Sequence, residues 1–595
     1  MPGQTRSRSG PDLRLVALVL LAAITILVMR TLVGRSGQPF FADTDDAMRM
    51  VMVRDFIAGQ SWYDLTAHRL NTPFGAEIHW SRLVDLPLAL LVMAFTPLLG
   101  ADTAMVAAGY VWPMFLLAVL LWLSARLAQR LVGPEGVLPA LVLPILSPAV
   151  TAEFTPGRVD HHNLVILLTL ATAWAGVEAV RRPRFAILGG FFAATALAIA
   201  TESLPSIAAA ILVSGLLWVF DASKAATMRI FGVSFAVATA AHLAIYRPPS
   251  RWLEAACDVL SPVYVAVALA VAAAFTIASL VPTPRAAWQR LALLAVLGVA
   301  GMGAVILAYP QCLAGPYGAL DPWLQANWIA GIIEAKPWTS SIFELPAYAV
   351  AVGAPALLGS LVVMYRLWSV NEGRAEWGAL LVFLLLAAVI MLAQIRGARL
   401  AVMPAMPAAA WLIVAARKRY LANPRFVPIL GLAGSWLAFS GLVLALVVAA
   451  FVAVVPGRAQ QVAEARAGKE PCLVPSAFAD LAAMAPERLM APIDLGAHLL
   501  LYTPHDVVAA PYHRNQGGVR DAFRFFNDSI DDAHGILVER GIGLVVICPD
   551  MAELRGIRGR ADDSFVNLLA AGRLPAWLAA VPNSGPLQVF AVRPD

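Results

Sequence analysis

The dominant pattern in this chain is a run of apolar residues, about 17–25 long, closed by polar or charged positions and then repeated. After a basic start (Arg6, Arg8, Arg14) the first run is Leu15–Met29, ended by Arg30 and Arg35. Others lie near 104–124, 135–150, 164–180, 185–200, 204–220, 227–246, 262–282, 290–308, 346–368, 378–393, 400–416 and 428–455. About 20 apolar residues in an α-helix cross about 30 Å of hydrocarbon. The pattern therefore predicts thirteen membrane-spanning helices. Alternating ten-residue strand patterns are missing, which argues against a β-barrel. The first run exceeds a signal-peptide core and lacks a small-residue cleavage site, so it reads as an uncleaved span with its N-terminus in the cytoplasm.

Charge tests this count. Alternate loops hold Arg126 and Arg130; Arg181, Arg182 and Arg184; Lys224 and Arg229; Arg285 and Arg290; Arg366 and Arg374; and Arg417, Lys418 and Arg419. All are basic, as cytoplasmic loops should be. A further apolar run, Leu83–Leu99, would reverse this order if it spanned, so it is expected to lie at the outer interface. Of the 595 residues, 60% are hydrophobic and 14% charged. The mean hydropathy is +0.74. Soluble domains carry about 25% charge. The net charge of +5 resides in the short loops, with no Lys/Arg stripe interleaved with aromatics. Nucleic acid is therefore not an expected partner.

Three outer segments are large: about 36–102, about 309–345, and everything after about 455. The last is less apolar. Its short apolar run Gly543–Cys548, beside a helical pattern at Ala477–Met484, predicts a small extracytoplasmic α/β domain over 456–595, following a membrane domain over 1–455. Cys257, Cys312, Cys472 and Cys548 all fall on or near the outer face. An oxidising compartment would allow Cys257–Cys312 and Cys472–Cys548 bridges; four free thiols are the alternative.

Ionisable residues near a membrane are costly and default to functional candidates. Asp43, Asp45 and Asp46 lie within four residues of one another. Such a cluster repels itself unless a cation or a helix N-terminus compensates it, and one Asp can cap the helix while another binds metal. Asp160, His161 and His162 offer one carboxylate and two imidazoles at the mouth of a span. Together these sets suit a divalent metal, Mg²⁺ or Mn²⁺, with Zn²⁺ admitted by the nitrogen donors. Glu334 lies in the 309–345 loop, and Arg396 and Arg399 stand on the outer side against the positive-inside trend. An Arg there can pair with phosphate, or with a buried acid. Glu202 is a further acid near the outer end of a span. Walker A, dinucleotide, His-Glu-x-x-His and Gly-x-Ser-x-Gly patterns are missing.

Together these loops resemble the GT-C superfamily of membrane glycosyltransferases, in particular the catalytic subunit of oligosaccharyltransferase. Asp43–Arg49 is similar to that family's metal-binding first loop. Gly157-Arg-Val-Asp160-His-His162 resembles its second-loop acidic motif, with His162 in place of the second carboxylate. Glu334-Ala-Lys-Pro337 fits its Glu-x-x-Pro segment, and Arg396 to Pro404 its Arg-containing late helix. The resemblance implies a polytopic α-helical membrane protein of about thirteen spans with a C-terminal extracytoplasmic α/β domain. It implies transfer of a sugar or oligosaccharide from a polyprenyl-(di)phosphate donor, with Asp43, Asp45, Asp46, Asp160, His161 and His162 as metal candidates. Asp45, Asp46, Asp160 and Glu334 become catalytic candidates, and Arg396 and Arg399 phosphate ligands. The family's Trp-Trp-Asp-Tyr-Gly motif, which reads the glycosylation sequon, is matched only by Asp494 and Gly496 of Ala491-Pro-Ile-Asp494-Leu-Gly496. The acceptor is therefore left open, with Asp494, His513 and Arg514 as acceptor-side candidates. A polyprenyl-monophosphate-sugar transferase acting on a lipid or polysaccharide is the alternative enzyme. A transporter or flippase is the alternative class, although those place ionisable groups mid-span and often carry repeats. The expected location is the cell (inner or plasma) membrane.

Overall fold

A computed structural model describes residues 10–34, 38–453, 470–549, 551 and 561–593. Arg6, Arg8 and Arg35, the end of the last apolar run and the boundary expected at 455/456 lie outside them. Among the described residues, 11 helices are long and apolar enough to cross a membrane. The pair Phe426–Phe439 and Gly441–Ala453, bent by 88°, raises the number to 12 if taken as one span. Two of the thirteen predicted runs form shorter helices, Val137–Ile145 and Phe185–Ile199. The first stops because Pro148 holds Ser147 extended (φ −103°, ψ 115°), a conformation that cannot continue a helix. The run expected at the interface folds as Arg82–Leu99, which length and composition also qualify as a span.

Two helix breaks brace each other inside the bundle. Leu442 N–H donates to Leu146 O at 2.7 Å. Gly441 packs so closely that a Cβ there would meet Ala351 O at 2.8 Å. Backbone groups released by a break in an apolar medium need such partners. By contrast, the 18-residue apolar window of Ala287–Ala308 has no buried residue; this helix packs at the edge of the bundle against Pro262–Leu280 and Leu204–Phe220, with Leu293, Leu294 and Leu297 partly buried. At one end Arg290 donates to Val219 O, Pro284 O and Arg285 O at 2.7–3.1 Å. Just past the other, Cys312 is joined to Cys257.

The C-terminal segment forms a five-stranded sheet in the order β4-β3-β5-β7-β6. Its strands are β3 (Arg488–Met490), β4 (Asp506–Val507), β5 (Leu544–Ile547), β6 (Leu578–Val581) and β7 (Gln588–Val592), while β1 (Thr66–Ala67) and β2 (Ala76–Glu77) form a hairpin in the first long loop. β4, β3 and β5 run parallel to one another, β7 antiparallel to β5, and β6 antiparallel to β7. A second disulfide, Cys472–Cys548, ties the start of this segment to the end of β5.

The first long loop docks the sheet onto the bundle. Leu70 bridges Val507 and so covers the β4 edge. Arg54 and Arg69 donate to carbonyls at the C-terminal end of helix Ile493–Tyr502, among them Leu501 O (3.1 Å) and Thr503 O (2.9 Å). Cations there satisfy orphan carbonyls and suit the helix dipole. Helix Thr44–Ile57 is thereby packed between Arg82–Leu99 and Ile493–Tyr502. A fully buried ion triad reinforces it: Asp85 accepts from Arg49 (2.5 Å) and Arg82 (3.1 Å), and Arg49 stacks 4.2 Å over Trp80.

Gly496 explains the small residue in Asp494-Leu-Gly496. A Cβ there would come within 1.9 Å of Ala509 O, so the helix and the segment just after β4 meet backbone to backbone. Gly496→Ala should cost about 2–3 kcal/mol through overpacking, read as a lower unfolding temperature of the purified protein. An unchanged temperature would contradict the packing.

Candidate functional site

The site is built where the N-terminus of helix Thr44–Ile57 meets the loop between Thr151 and His162. Asp43 caps the helix by accepting from Asp45 N–H at 3.0 Å, as one of the readings of the aspartate cluster anticipates. In the facing loop, Gly157 takes φ +93° and donates its N–H to Gly109 O at 3.0 Å. A left-handed glycine here turns the next two residues toward the helix. Val159 and Asp160 then donate their N–H groups to Asp46 Oδ1 at 2.8 and 3.1 Å.

Arg158 joins the two elements. Its Nη1 lies 2.9 Å from both Asp43 and Asp46; its Nη2 lies 2.9 Å from Glu153 and 2.7 Å from Asp160. Two charges in each direction, gathered out of water, hold the loop in one geometry. Burial works against Arg158, yet these carboxylates keep it firmly charged, well above its ordinary range. Burial would also raise Asp160, but Arg158 and the neighbouring imidazoles hold it well below the usual carboxylate range.

From Asp160 the network runs on. Asp160 Oδ2 lies 2.7 Å from His162 Nδ1, and His162 Nε2 lies 3.6 Å from Glu202. Glu202 pairs with Arg396 at 2.7 Å. Arg399 pairs with Glu334 and lies 3.5 Å from Glu153. Arg396 and Arg399 are thus held by acids, while both still line an apolar groove of about 340 Å³ bordered by Leu204, Ile390 and Leu400. Glu334, unremarkable as a lone loop residue, gains its place through Arg399.

Among the described residues, two sets of side chains bring ligand atoms within 4.8 Å of one another: Asp45, Asp160 and His162, and His161, His162 and Glu202. Arg158 pairs with Asp43 and Asp46 of the first cluster and leaves Asp45 outside its reach. Burial, together with repulsion from Asp43 and Asp160, pushes its carboxyl up to about 7. Burial, helped by His162, drops His161 to about 3, so it is neutral with a free lone pair, and its Nδ1 has no hydrogen-bond partner. Carboxylates and imidazoles whose ligand atoms converge in this way fit a divalent cation. Asp43 and Asp46 are committed to the cap, Arg158 and the loop backbone, so they frame this donor set and stand outside both groups.

The same residues open into a cavity of about 210 Å³ between the bundle and the C-terminal segment. Asp45, His161, His162 and Glu202 form one side. Trp80, Tyr317 and Tyr512 supply aromatic surface, and Tyr512 OH donates to Thr44 O at 2.9 Å. Glu77, His79, Asp258, His513 and Arg514 form the far side. His513 and Arg514 both reach Asp258 at 2.7 Å, and Arg514 lies 3.0 Å from Glu77. Burial would raise Asp258, but the hydrogen bonds from His513 and Arg514 hold it far below its ordinary 3.8. Asp494 sits in the first turn of helix Ile493–Tyr502 and does not line the cavity. Glu153, Arg158, Glu202, Trp80 and Asp258 were given no site role from the sequence. The usable signal for Glu153 and Glu202 was an acid beside an apolar run.

This geometry lies on a known fold. No family model and no curated protein matches the chain. Solved structures do. They share its architecture of a polytopic helical bundle with a C-terminal sheet. The chain is similar to the archaeal oligosaccharyltransferase AglB of Archaeoglobus fulgidus in complex with an inhibitory peptide and a dolichol-phosphate. The TM-score is 0.66 at 13% identity, covering 95% of this chain and 72% of that one. It is also similar to the apo form of the A. fulgidus enzyme (TM-score 0.60, 14% identity, 89% and 69% covered). A further match is a complex of that enzyme with Zn and sulfate (TM-score 0.56, 13% identity, 97% and 73% covered). At these identities the likeness is one of fold, and the resemblance first seen in short loop motifs holds at that level.

Two outcomes follow. Arg158→Ala strands carboxylates in a buried setting and should cost about 3–5 kcal/mol. Thermal unfolding would show it, and wild-type stability would contradict the role given to Arg158. Asp258→Asn should cost about 2–3 kcal/mol through lost charged hydrogen bonds. Because the folded-state pKa of Asp258 is depressed, its stabilisation is fully present above about pH 5 and is lost only as pH falls below 3.8. Wild type and Asp258→Asn should therefore differ at pH 7 and converge as pH falls below 3.8.

Proposed function

We propose that the chain is a glycosyltransferase that moves a sugar or oligosaccharide from a polyprenyl-(di)phosphate donor to an acceptor in the cavity, on the extracytoplasmic face of the cell membrane. One observation carries this reading: His162 and Glu202 border both the acidic cavity and the apolar groove that Arg396 and Arg399 line. A donor with an isoprenoid tail and an anionic head requires that juxtaposition. The likeness to AglB supports it, since one of its structures is a complex with a dolichol-phosphate and another with Zn and sulfate.

In this reading the tail lies in the groove and Arg396 and Arg399 face the donor phosphate, releasing part of their hold on Glu202 and Glu334. Asp45, Asp160 and His162 would hold a divalent metal such as Mg²⁺ or Mn²⁺, with His161 and Glu202 alongside. When bound, that metal offsets the charge of the leaving (di)phosphate. Asp43, Asp46 and Arg158 fix the loop that positions Asp160. The bond from sugar C1 to the phosphate oxygen breaks and its electron pair leaves with the (di)phosphate. The acceptor oxygen bonds to C1, and its proton passes to Glu334, a cavity carboxylate outside the metal set. Glu334 orients Arg399.

The acceptor is better read as a lipid or polysaccharide than as an Asn-x-Ser/Thr peptide. Both tryptophans of the sequon motif are missing, and Asp494 is not among the cavity residues. That favours the polyprenyl-monophosphate donor as a second reading. Asp160→Ala should abolish sugar transfer in membrane preparations supplied with labelled polyprenyl-linked donors, at unchanged expression. Full activity in that variant would overturn the assignment.

A further inference from the structure

We propose that the acceptor is an anionic, membrane-anchored lipid held in a second lipid site formed by Arg247 and the apolar groove below it. This rests on the glycosyl-transfer reading above and names its acceptor class.

Arg247 directly follows helix Ala225–Tyr246 and lines the cavity. It is 6% exposed. Only its Nη1 approaches an acid, Glu77 at 3.7 Å. Its Nε and Nη2 find no hydrogen-bond partner among the described residues. Glu77 is already engaged by Arg251 (2.8 and 3.0 Å) and Arg514 (3.0 Å), so it cannot satisfy Arg247 as well. A buried guanidinium with two unused N–H donors is costly, and an oxyanion such as a phosphate or carboxylate completes it.

Directly below lies an apolar groove of about 740 Å³ between helices Phe185–Ile199 and Ala225–Tyr246. Its floor follows the second helix from Arg229 to Ile245. At 1.5 Å per residue that is about 24 Å, most of a bilayer's hydrocarbon thickness. Its upper end is one residue from Tyr246 and two from Arg247, both cavity residues. Rings continue the path: Phe191 lies 6.1 Å from His242, His242 5.8 Å from Tyr246, and Tyr246 5.8 Å from Trp62. The donor groove leaves the same cavity elsewhere, between helices that begin at His162 and Leu204 and those around Arg396. One polar cavity is therefore served by two separate tail grooves, each with arginine at its head. A soluble peptide or polysaccharide needs only one.

The test uses the full chain in detergent, with native mass spectrometry reading bound lipid. The probes are dioleoyl phosphatidic acid, dioleoylglycerol and undecaprenyl phosphate. Wild type should hold phosphatidic acid about tenfold more tightly than dioleoylglycerol, the worth of one charge-assisted hydrogen bond. Arg247→Gln should erase that preference. Val237→Trp fills the groove from a lipid-facing position and should weaken both dioleoyl probes about tenfold. Neither change should alter binding of undecaprenyl phosphate, which Arg396→Gln with Arg399→Gln should weaken. If Arg247→Gln and Val237→Trp bind the dioleoyl probes as wild type does, the second lipid site is wrong and only annular lipid is present. Protection of Arg247 by an Asn-x-Thr peptide instead of by phosphatidic acid would also overturn it. If undecaprenyl phosphate binding is indifferent to Arg396 and Arg399, the donor reading fails, independently of the first result.

Discussion

The contact on which the rest of the site depends is that of Arg158 with Asp43, Asp46, Glu153 and Asp160. Without a cation between them, the N-terminus of helix Thr44–Ile57 and the loop before His162 would repel one another. With it, Asp46 can accept the N–H groups of Val159 and Asp160. The loop is then fixed, Asp160 is turned toward His162, and Asp45 is left as the one acid of its cluster that the guanidinium does not touch. One buried cation thus divides a group of similar aspartates into two that hold the loop, Asp43 and Asp46, and one that faces the cavity, Asp45. Their roles follow from position relative to Arg158, since their chemistry is the same.

A second constraint is the docking of the C-terminal sheet. Helix Thr44–Ile57 carries the aspartates at one end and is packed against helix Ile493–Tyr502 along its side. Arg54, Arg69, the Leu70–Val507 bridge and the Tyr512 hydroxyl all tie the first long loop to the C-terminal segment. The cavity exists because these parts meet over it. The Asp258 contacts of His513 and Arg514 close its far side and connect it to the Cys257–Cys312 disulfide and the peripheral helix Ala287–Ala308.

The fold was largely legible in the sequence because membrane helices are set by two local quantities, apolar length and flanking charge. What length could not show was where a helix breaks: Pro148 shortens one predicted span, and the bend before Gly441 splits another. The site was legible only in outline. The Asp43–Asp46 and Asp160–His162 loops and Arg396, Arg399 and Glu334 were visible because charge is out of place there. Their pairings were not, since Arg158 meets Asp46 across 112 positions and Arg396 meets Glu202 across 194. Local spacing holds no information on such contacts. Glu153 and Glu202 were underrated because each sits singly beside an apolar run, and Asp494 drew attention through a motif whose glycine serves backbone packing.

The most direct measurement of the central claim is Mn²⁺ binding to the purified full-length protein, followed by electron paramagnetic resonance. The account predicts one site whose Mn²⁺ signal shows nitrogen coordination. Asp160→Ala and His162→Ala should abolish it, while Asp494→Ala leaves it intact. No bound Mn²⁺, or a site indifferent to Asp160 and His162, would contradict the claim that Arg158 organises this cluster to hold a metal.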